Sequence, residues 1–276
     1  LLSDDRFVIK SQFTVDVNNQ KDSKLLSVLN LTKNYSQNTI KQTLAVKDVS
    51  FELNAGEFVS IVGPSGCGKT TLLMCIAGLI KASGGRILLD GREIDGPPKE
   101  MVLVFQNYSN SLFPWRTVMG NVLFALENKN IPRTEKAAIA RETLNSVGLG
   151  EFLRHYPWEL SGGMQQRVAI ARGIAYGSHI ILMDEPFASV DAQTRAELED
   201  LLIRLWENYS KSILFVTHDI DEAVYLSDRV IVLSRRPSVV LDNIVVDLKR
   251  PRNQLETKGN ERFIALRNRI YGMIRS

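Results

Sequence analysis

Gly63-Pro64-Ser65-Gly66-Cys67-Gly68-Lys69-Thr70 matches the pattern G-x-x-x-x-G-K-[ST] at every fixed position. Glycines at 63, 66 and 68 let the backbone curl so that several N–H groups point inward. Those donors and the N-terminus of a following helix make an anion site suited to the β-phosphate of a nucleotide. Lys69 adds a point charge for the β- and γ-phosphates, and Thr70 offers a hydroxyl to Mg²⁺. The flanks agree. Residues 57–62 are β-rich and end directly at Gly63, while 70–77 continue at helical spacing with Leu72, Leu73 and Ile76 apolar. A plain glycine-rich turn does not account for a full match between a strand and a helix.

About a hundred residues downstream stands Leu160-Ser161-Gly162-Gly163-Met164-Gln165. A serine and two glycines open a helix, so backbone N–H groups and a helix dipole again face an anion. Ser161 as a simple N-cap is compatible with this, because the cap geometry is what makes the anion site. Just beyond, Ile180-Ile181-Leu182-Met183 delivers Asp184 and Glu185 to the C-terminal end of a buried strand, where open α/β sheets bind ligands.

Together these segments resemble the ATP-binding cassette ATPases, the motor subunits of ABC transporters. The resemblance covers about residues 25–235. It implies a P-loop NTPase (ABC ATPase) core with a mostly parallel sheet, an antiparallel β subdomain and a helical subdomain at about 107–162. Residues 1–24 are then an N-terminal extension and 236–276 a basic tail with a helix. By the same resemblance the nucleotide site comprises Tyr35 (an adenine platform), Gly63, Ser65, Gly66, Cys67, Gly68, Lys69, Thr70 and Thr71. In the family, the 160–165 segment with Ser161, Gly162 and Gly163 contacts the γ-phosphate held by the opposite subunit. Asp191, in Ala188-Ser189-Val190-Asp191, fits the family's D-loop, with valine where leucine is commoner. Lys69, Gln106, Glu185 and His218 are the implied catalytic set, Glu185 polarising the attacking water and His218 bonding the γ-phosphate. Thr70, Gln106 and Asp184 are the implied Mg²⁺ set.

The remaining pattern fits an α/β chain. Strands are expected at 25–31, 45–53, 86–89, 101–105, 180–183, 213–217, 230–233 and 243–246. A further short strand is expected where Phe13, Val15 and Val17 alternate with polar residues. Helices are expected at 118–127, 134–147, 150–156, 163–176 and 191–209. The alternation implies a parallel sheet with helices on both faces.

Composition sets the class. The 276 residues are 44% hydrophobic and 24% charged, which is ordinary globular usage, and a net charge of +3 gives no ground for a nucleic-acid partner. No apolar run approaches the ~20 residues of a membrane span, and no charged-then-apolar leader opens the sequence. Two cysteines, Cys67 and Cys75, read as reduced residues of a cytosolic protein. The sequence starts at Leu1, which leaves a longer product open at either end.

Within the family, one phosphate loop and one short insert favour a transporter subunit over tandem-cassette or coiled-coil ATPases. A cassette without a fused membrane domain resembles bacterial-type importers. Leu112-Phe113-Pro114-Trp115-Arg116-Thr117-Val118, followed by Asn121-Val122, is similar to importers of nitrate, sulfonates and taurine. Trp115 could equally be a core residue of the insert. The implied partners are a second cassette, identical or homologous, transmembrane permease subunits and, indirectly, an extracytoplasmic solute-binding protein. The implied location is peripheral, on the cytoplasmic face of the cell membrane. The alternatives are a soluble ABC ATPase without a membrane partner and a non-hydrolysing ATP-dependent binding module. Phe263, Leu266, Ile270 and Met273 share one helical face in the tail, which suits either a membrane surface or packing on the ATPase body.

Overall fold

The computed structural model describes residues 23–37, 41–106 and 111–275. Strand β3 (Phe58–Val62) is buried along its whole length and runs directly into the phosphate loop. It lies parallel to β8 (Ser212–Thr217) on one side and to β9 (Arg229–Leu233) on the other. Beyond β8 come β7 (Ile180–Asp184) and β6 (Met101–Val104), also parallel, and β10 (Val240–Val245) pairs antiparallel with β9. The resulting order is β10-β9-β3-β8-β7-β6. Because β3, β7 and β8 are covered on both faces, they read as apolar runs and not as alternations.

The two faces carry different layers. Phe58, Val62, Met183, Phe215 and Val232 face a core shared with helices α4 (Gly162–Tyr176), α5 (Ala192–Tyr209) and α6 (Ile220–Leu226). Val59, Ile61, Leu182, Val216 and Ile231 face the opposite core. Helix α1 (Lys69–Ile76) and an antiparallel sheet cover it, the sheet ordered β2-β1-β4-β5 from β1 (Lys24–Gln37), β2 (Lys41–Asn54), β4 (Gly84–Leu89) and β5 (Arg92–Glu93). Helices on both faces are therefore only half the outcome. Among the described residues, one face receives a single helix plus a second sheet.

Several expected boundaries move for local reasons. β1 and β2 extend well past 31 and before 45. Their pairing shifts register between Val28 and Asn34, and Asn30 has a φ of 48°. Such irregularities break the two-residue alternation that marks a strand in sequence. The helix expected at 118–127 is α2 (Val118–Phe124), tightened at its end by Ala125 N–H to Val122 and Leu126 N–H to Leu123. Helix α3 is Arg133–Ser146. The helix expected at 150–156 is only a 3₁₀ turn at Gly150–Phe152, followed by another at Pro157–Glu159. The strand suggested by Phe13, Val15 and Val17 lies outside the described residues.

The tail is tied to the body. Arg252 donates to the carbonyls of Val224, Tyr225 and Ser227 at 3.2, 2.6 and 2.8 Å, and Arg250 donates to Leu226 O and to Asp228. Two guanidiniums thus satisfy carbonyls that the end of α6 leaves without intrahelical partners. After α7 (Gln254–Lys258), helix α8 (Glu261–Arg275) buries Phe263, Leu266 and Ile270. That face is spent on packing, so α8 does not offer it to a membrane surface.

Candidate active site

The phosphate loop leaves β3 at Gly63 and closes at Gly68, the residue preceding α1. Gly68 has a φ of 120°, and a Cβ there would sit 2.9 Å from the Ala45 carbonyl. Only glycine meets both demands. Gly66 also has a positive φ, and Cys67 N–H bonds back to Pro64 O at 3.2 Å. Cys67 is buried, and burial pushes its thiol pKa up against the opposing pull of Lys69 and Arg236. Cys67 and Cys75 are both free thiols.

Lys69 is buried at 5% exposure, with Nζ donating to Gly63 O at 2.9 Å and Pro64 O at 3.3 Å. The same ammonium lies 3.7 Å from Glu185 Oε1. Thr70 Oγ1 donates to Asp184 Oδ1 at 3.2 Å. Burial raises the Asp184 pKa, while the Thr70 hydroxyl bond opposes it, Glu185 adds to it and Lys69 pulls it down. Glu185 Oε2 meets His218 Nδ1 at 2.8 Å. Lys69, Thr70, Asp184, Glu185 and His218 therefore form one contiguous group at the C-terminal ends of β3, β7 and β8.

Glu185 reaches this position through an unusual backbone. It follows β7 immediately, has a φ of 43°, and its N–H bonds Val216 O at 2.8 Å. A left-handed glutamate costs on the order of 1 kcal/mol. Here the turn aims the carboxylate back toward Lys69 and His218 instead of continuing the strand.

Tyr35, at the far end of β1, has its hydroxyl 3.4 Å from Thr71 Oγ1 and an exposed ring beside the start of α1. Lys33 Nζ lies 5.0 Å from that ring's centroid. Ser65 is exposed on the loop. Gln106 is exposed two residues past β6, which pairs with β7 at Val104 opposite Met183. It stands at the same sheet edge as Asp184.

Ser161, Gly162, Gly163 and Asp191 form a second cluster. Ser161 caps α4 by accepting from Met164 N–H at 3.3 Å. Asp191 caps α5, accepting from the Gln193 and Thr194 N–H groups at 3.1 and 3.0 Å and from Thr194 Oγ1 at 2.7 Å. The Thr194 hydroxyl bond, ahead of the backbone donors, holds the Asp191 carboxyl below its ordinary pKa. A Cβ on Gly163 would lie 2.6 Å from Thr194 Cγ2, so the two caps pack against each other. Among the described residues, no hydrogen bond or ion pair joins this cluster to residues 63–71.

Three contributors escaped the sequence reading. Arg236 Nη2 donates to Gly66 O at 3.0 Å. Ser238 N–H and Oγ both bond Ala45 O, the carbonyl against which Gly68 packs. Arg195 contacts Asp219 and Glu222 at 3.2 and 3.5 Å, and Glu222 accepts from Thr217 Oγ1 at 2.6 Å, one residue from His218. Two adjacent cations, Arg235 and Arg236, directly after an apolar strand were the only available signal for the first.

The donor set near Asp184 fits Mg²⁺. Its protein oxygens are a hydroxyl and one buried carboxylate, and a cation beside that carboxylate would relieve its desolvation. Among the described residues no group of three or more His, Cys, Asp or Glu side chains could hold a metal. Magnesium suits such a site because it takes one or two protein oxygens and completes its shell with phosphates and water.

Comparison with known proteins bears on this geometry. Residues 46–188 match the family model described as ABC transporter. The chain is 47% identical over 252 residues to an ABC transporter ATP-binding protein, MJ0412, of Methanocaldococcus jannaschii, covering 91% of each chain. It is 45% identical to the nitrate import ATP-binding protein NrtC of Synechococcus elongatus, over 84% of this chain but 36% of that longer one. The dimeric structure of MJ0796, a bacterial ABC transporter cassette, superposes with a TM-score of 0.70 at 33% identity, covering 81% of this chain and 100% of that one. The phosphate loop, the carboxylate pair and these matches converge on one conclusion: the chain belongs to the ABC transporter family, as an ATP-binding and ATP-hydrolysing cassette.

Proposed function

We propose that the chain is the motor subunit of an ABC importer, driving uptake of a small compound of the nitrate, sulfonate or taurine class through permease partners. The observation that carries the ATPase half is the contiguity of Lys69, Glu185 and His218, at 3.7 and 2.8 Å, beside the Thr70–Asp184 pair. The importer half is supported by likeness to a nitrate import ATP-binding protein and by an exposed aromatic loop on the helical insert.

In this reading the N–H groups of 63–70 and Lys69 hold the β- and γ-phosphates, Tyr35 stacks on adenine, and Thr71, Ser65 and Cys67 shape the cradle. Glu185 accepts a hydrogen bond from the attacking water and orients it in line with the γ-phosphorus. His218 both steadies Glu185 and reaches the γ-phosphate. Thr70, Asp184 and Gln106 would hold Mg²⁺, which would supply positive charge for the phosphate oxygens. Ser161–Gly163 and Asp191 face the nucleotide of a second cassette, in keeping with their separation from residues 63–71. ATP then closes two subunits, and hydrolysis reopens them. Residues 25–235 act as the ATPase unit, with an insert at about 107–162.

The insert supplies the coupling surface. Asn121 is fully buried and ties its loop together, accepting from Phe113 N–H at 2.8 Å and donating to the carbonyls of Phe113, Arg116 and Thr117 at 3.1 Å. Trp115, held outside this knot, is 71% exposed and packs on Phe113, which packs on Phe124. The core alternative for Trp115 is thereby excluded. Phe124 also lines a cleft of about 570 Å³ with Val104, Ser111 and Arg172, between the sheet edge and the insert. A short helix from a permease fits such a site. No helix among the described residues is long and apolar enough to cross a membrane, so attachment through the permease is the proposed route to the cytoplasmic face.

The test is reconstitution with candidate permeases and a solute-binding protein, reading uptake and Mg²⁺-dependent ATP turnover together. Uptake coupled to turnover supports the proposal. Turnover that no permease alters returns the chain to the class of soluble ABC ATPases.

A further inference from the structure

An anion cradle depends on the direction of each peptide plane. One flipped plane replaces an inward N–H with a carbonyl oxygen and reverses the local charge the phosphate meets. Flips are easiest beside glycines, whose φ and ψ are least restricted. The plane most at risk is Gly66–Cys67, since Gly66 sits at a positive φ and a Cβ there would meet nothing within 4 Å.

This plane is pinned at both ends. Its N–H, on Cys67, bonds Pro64 O at 3.2 Å inside the loop. Its carbonyl, on Gly66, accepts from Arg236 Nη2 at 3.0 Å across 170 residues of sequence. Arg236 is itself presented by an anchored turn. Ser234 Oγ donates to the carbonyls of Arg235 and Pro237, Val239 N–H bonds Ser234 Oγ at 3.0 Å, and Ser238 bonds the Ala45 carbonyl. Lys47 N–H closes the link by bonding Ser238 O at 2.9 Å. The turn after β9 thus bridges β2, against which Gly68 packs, and the crown of the phosphate loop.

We propose that Arg236 is a positioning residue for nucleotide binding, fixing the Gly66–Cys67 peptide and its internal turn to Pro64 O so that the loop's remaining N–H groups face the phosphates. The guanidinium also lies close enough to Cys67 to favour its thiolate, so it adds positive charge beside the cradle. The inference rests on the ATPase reading above. It goes further by assigning a role to a residue outside the phosphate loop, the carboxylate pair and the signature segment.

The experiment compares wild type, Arg236→Ala and Arg236→Lys by equilibrium binding of Mg²⁺–ATP, by kcat and KM, and by the rate at which Cys67 is alkylated without nucleotide. A charge-assisted hydrogen bond to a backbone carbonyl supports an expected rise of about tenfold in Kd and KM for Arg236→Ala. A much smaller fall in kcat at saturating ATP is expected, with Arg236→Lys intermediate. Compared as rate constants for the thiolate, which sets aside the lost charge of Arg236 beside Cys67, alkylation of Cys67 should be faster in Arg236→Ala while Cys75, buried within α1, keeps its wild-type rate. Wild-type Kd and Cys67 labelling in Arg236→Ala would overturn the proposal. Equal acceleration at Cys67 and Cys75 would also overturn it, by showing general loosening. If wild type itself binds no ATP, the ATPase reading fails, and the Cys67 comparison still decides whether Arg236 holds the loop.

Discussion

Glu185 Oε2 and His218 Nδ1 lie 2.8 Å apart, while the other Glu185 oxygen is 3.7 Å from the Lys69 ammonium. One carboxylate therefore links the buried lysine of the phosphate loop to a histidine that is largely exposed at the sheet edge. Glu185→Gln keeps the side-chain shape but removes the charge that, in the proposed mechanism, polarises the attacking water. We expect ATP binding to persist and turnover to fall by far more than the tenfold that corresponds to about 1.4 kcal/mol of transition-state stabilisation. Dimers should accumulate with ATP, because hydrolysis no longer separates them. Single-turnover hydrolysis and size-exclusion chromatography with ATP check both outcomes; wild-type turnover would remove Glu185 from the chemistry.

His218→Ala leaves Glu185 bonded only to Lys69. We expect kcat to fall by about two orders of magnitude, as when a group that positions an attacking nucleophile is lost, with a smaller change in the Kd for ATP. A variant whose Kd weakens as much as its kcat falls would make His218 a binding residue only.

Gly163 contacts Thr194, so the trans model needs a two-step test. Gly163→Asp adds both a charge and a Cβ that would meet Thr194 Cγ2 at 2.6 Å. Thr194→Ser removes that methyl and keeps the hydroxyl that bonds Asp191. In the Thr194→Ser background, Gly163→Ala should retain ATP-driven dimerisation while Gly163→Asp loses it, and monomeric ATP binding should survive in both. Loss of monomeric binding in the Asp variant would mean that Ser161–Gly163 serves its own chain's nucleotide.

Glu222 is 4% exposed, and burial raises its pKa from an ordinary 4.5 to about 7, against the Thr217 hydroxyl bond. Its folded form therefore holds a proton that the unfolded chain gives up earlier. Stability should fall as pH rises from 4.5 to about 7 and level off above that window. Full expression of the shift is on the order of 3 kcal/mol. Glu222→Gln should flatten this slope in denaturant unfolding at several pH values, and an unchanged slope would assign it to other groups.

The phosphate loop, the carboxylate pair and the signature segment were legible because each needs fixed residue types at fixed spacing beside a strand or helix end. β3, β7 and β8 were legible as compact apolar runs. The antiparallel hairpin was underestimated because bulges near Asn30 scramble its alternation. The 150–159 region lost its helix to closely spaced Gly150 and Pro157. Arg236, Ser238 and Thr194 stayed hidden for a different reason: their partners are Gly66 O, Ala45 O and Gly163, contacts made by long-range folding that leave no periodic mark. The exposure of Trp115 was not legible, since an aromatic in a short loop reads equally as core.

That exposure gives the sharpest test of coupling. Leu112, Val118 and Val122 are buried, Thr117 caps α2 and Asn121 knots the loop, so the scaffold under Trp115 does not depend on the indole. Trp115→Ala should leave the free subunit's fold and ATP Kd at wild-type values. Large aromatics are the side chains most often found to dominate protein interfaces, where truncation commonly costs 2 kcal/mol or more, roughly thirtyfold in affinity. We therefore expect permease assembly to weaken by about that factor, and transport to fall while basal turnover of the isolated cassette persists. Asn121→Ala should damage both, because it frees the loop and leaves the carbonyls of Phe113, Arg116 and Thr117 without their shared donor. Normal assembly and transport in Trp115→Ala, measured in the same preparation that shows the Asn121→Ala defect, would take the indole off the coupling surface and leave the cleft beside Phe124 as the remaining docking site.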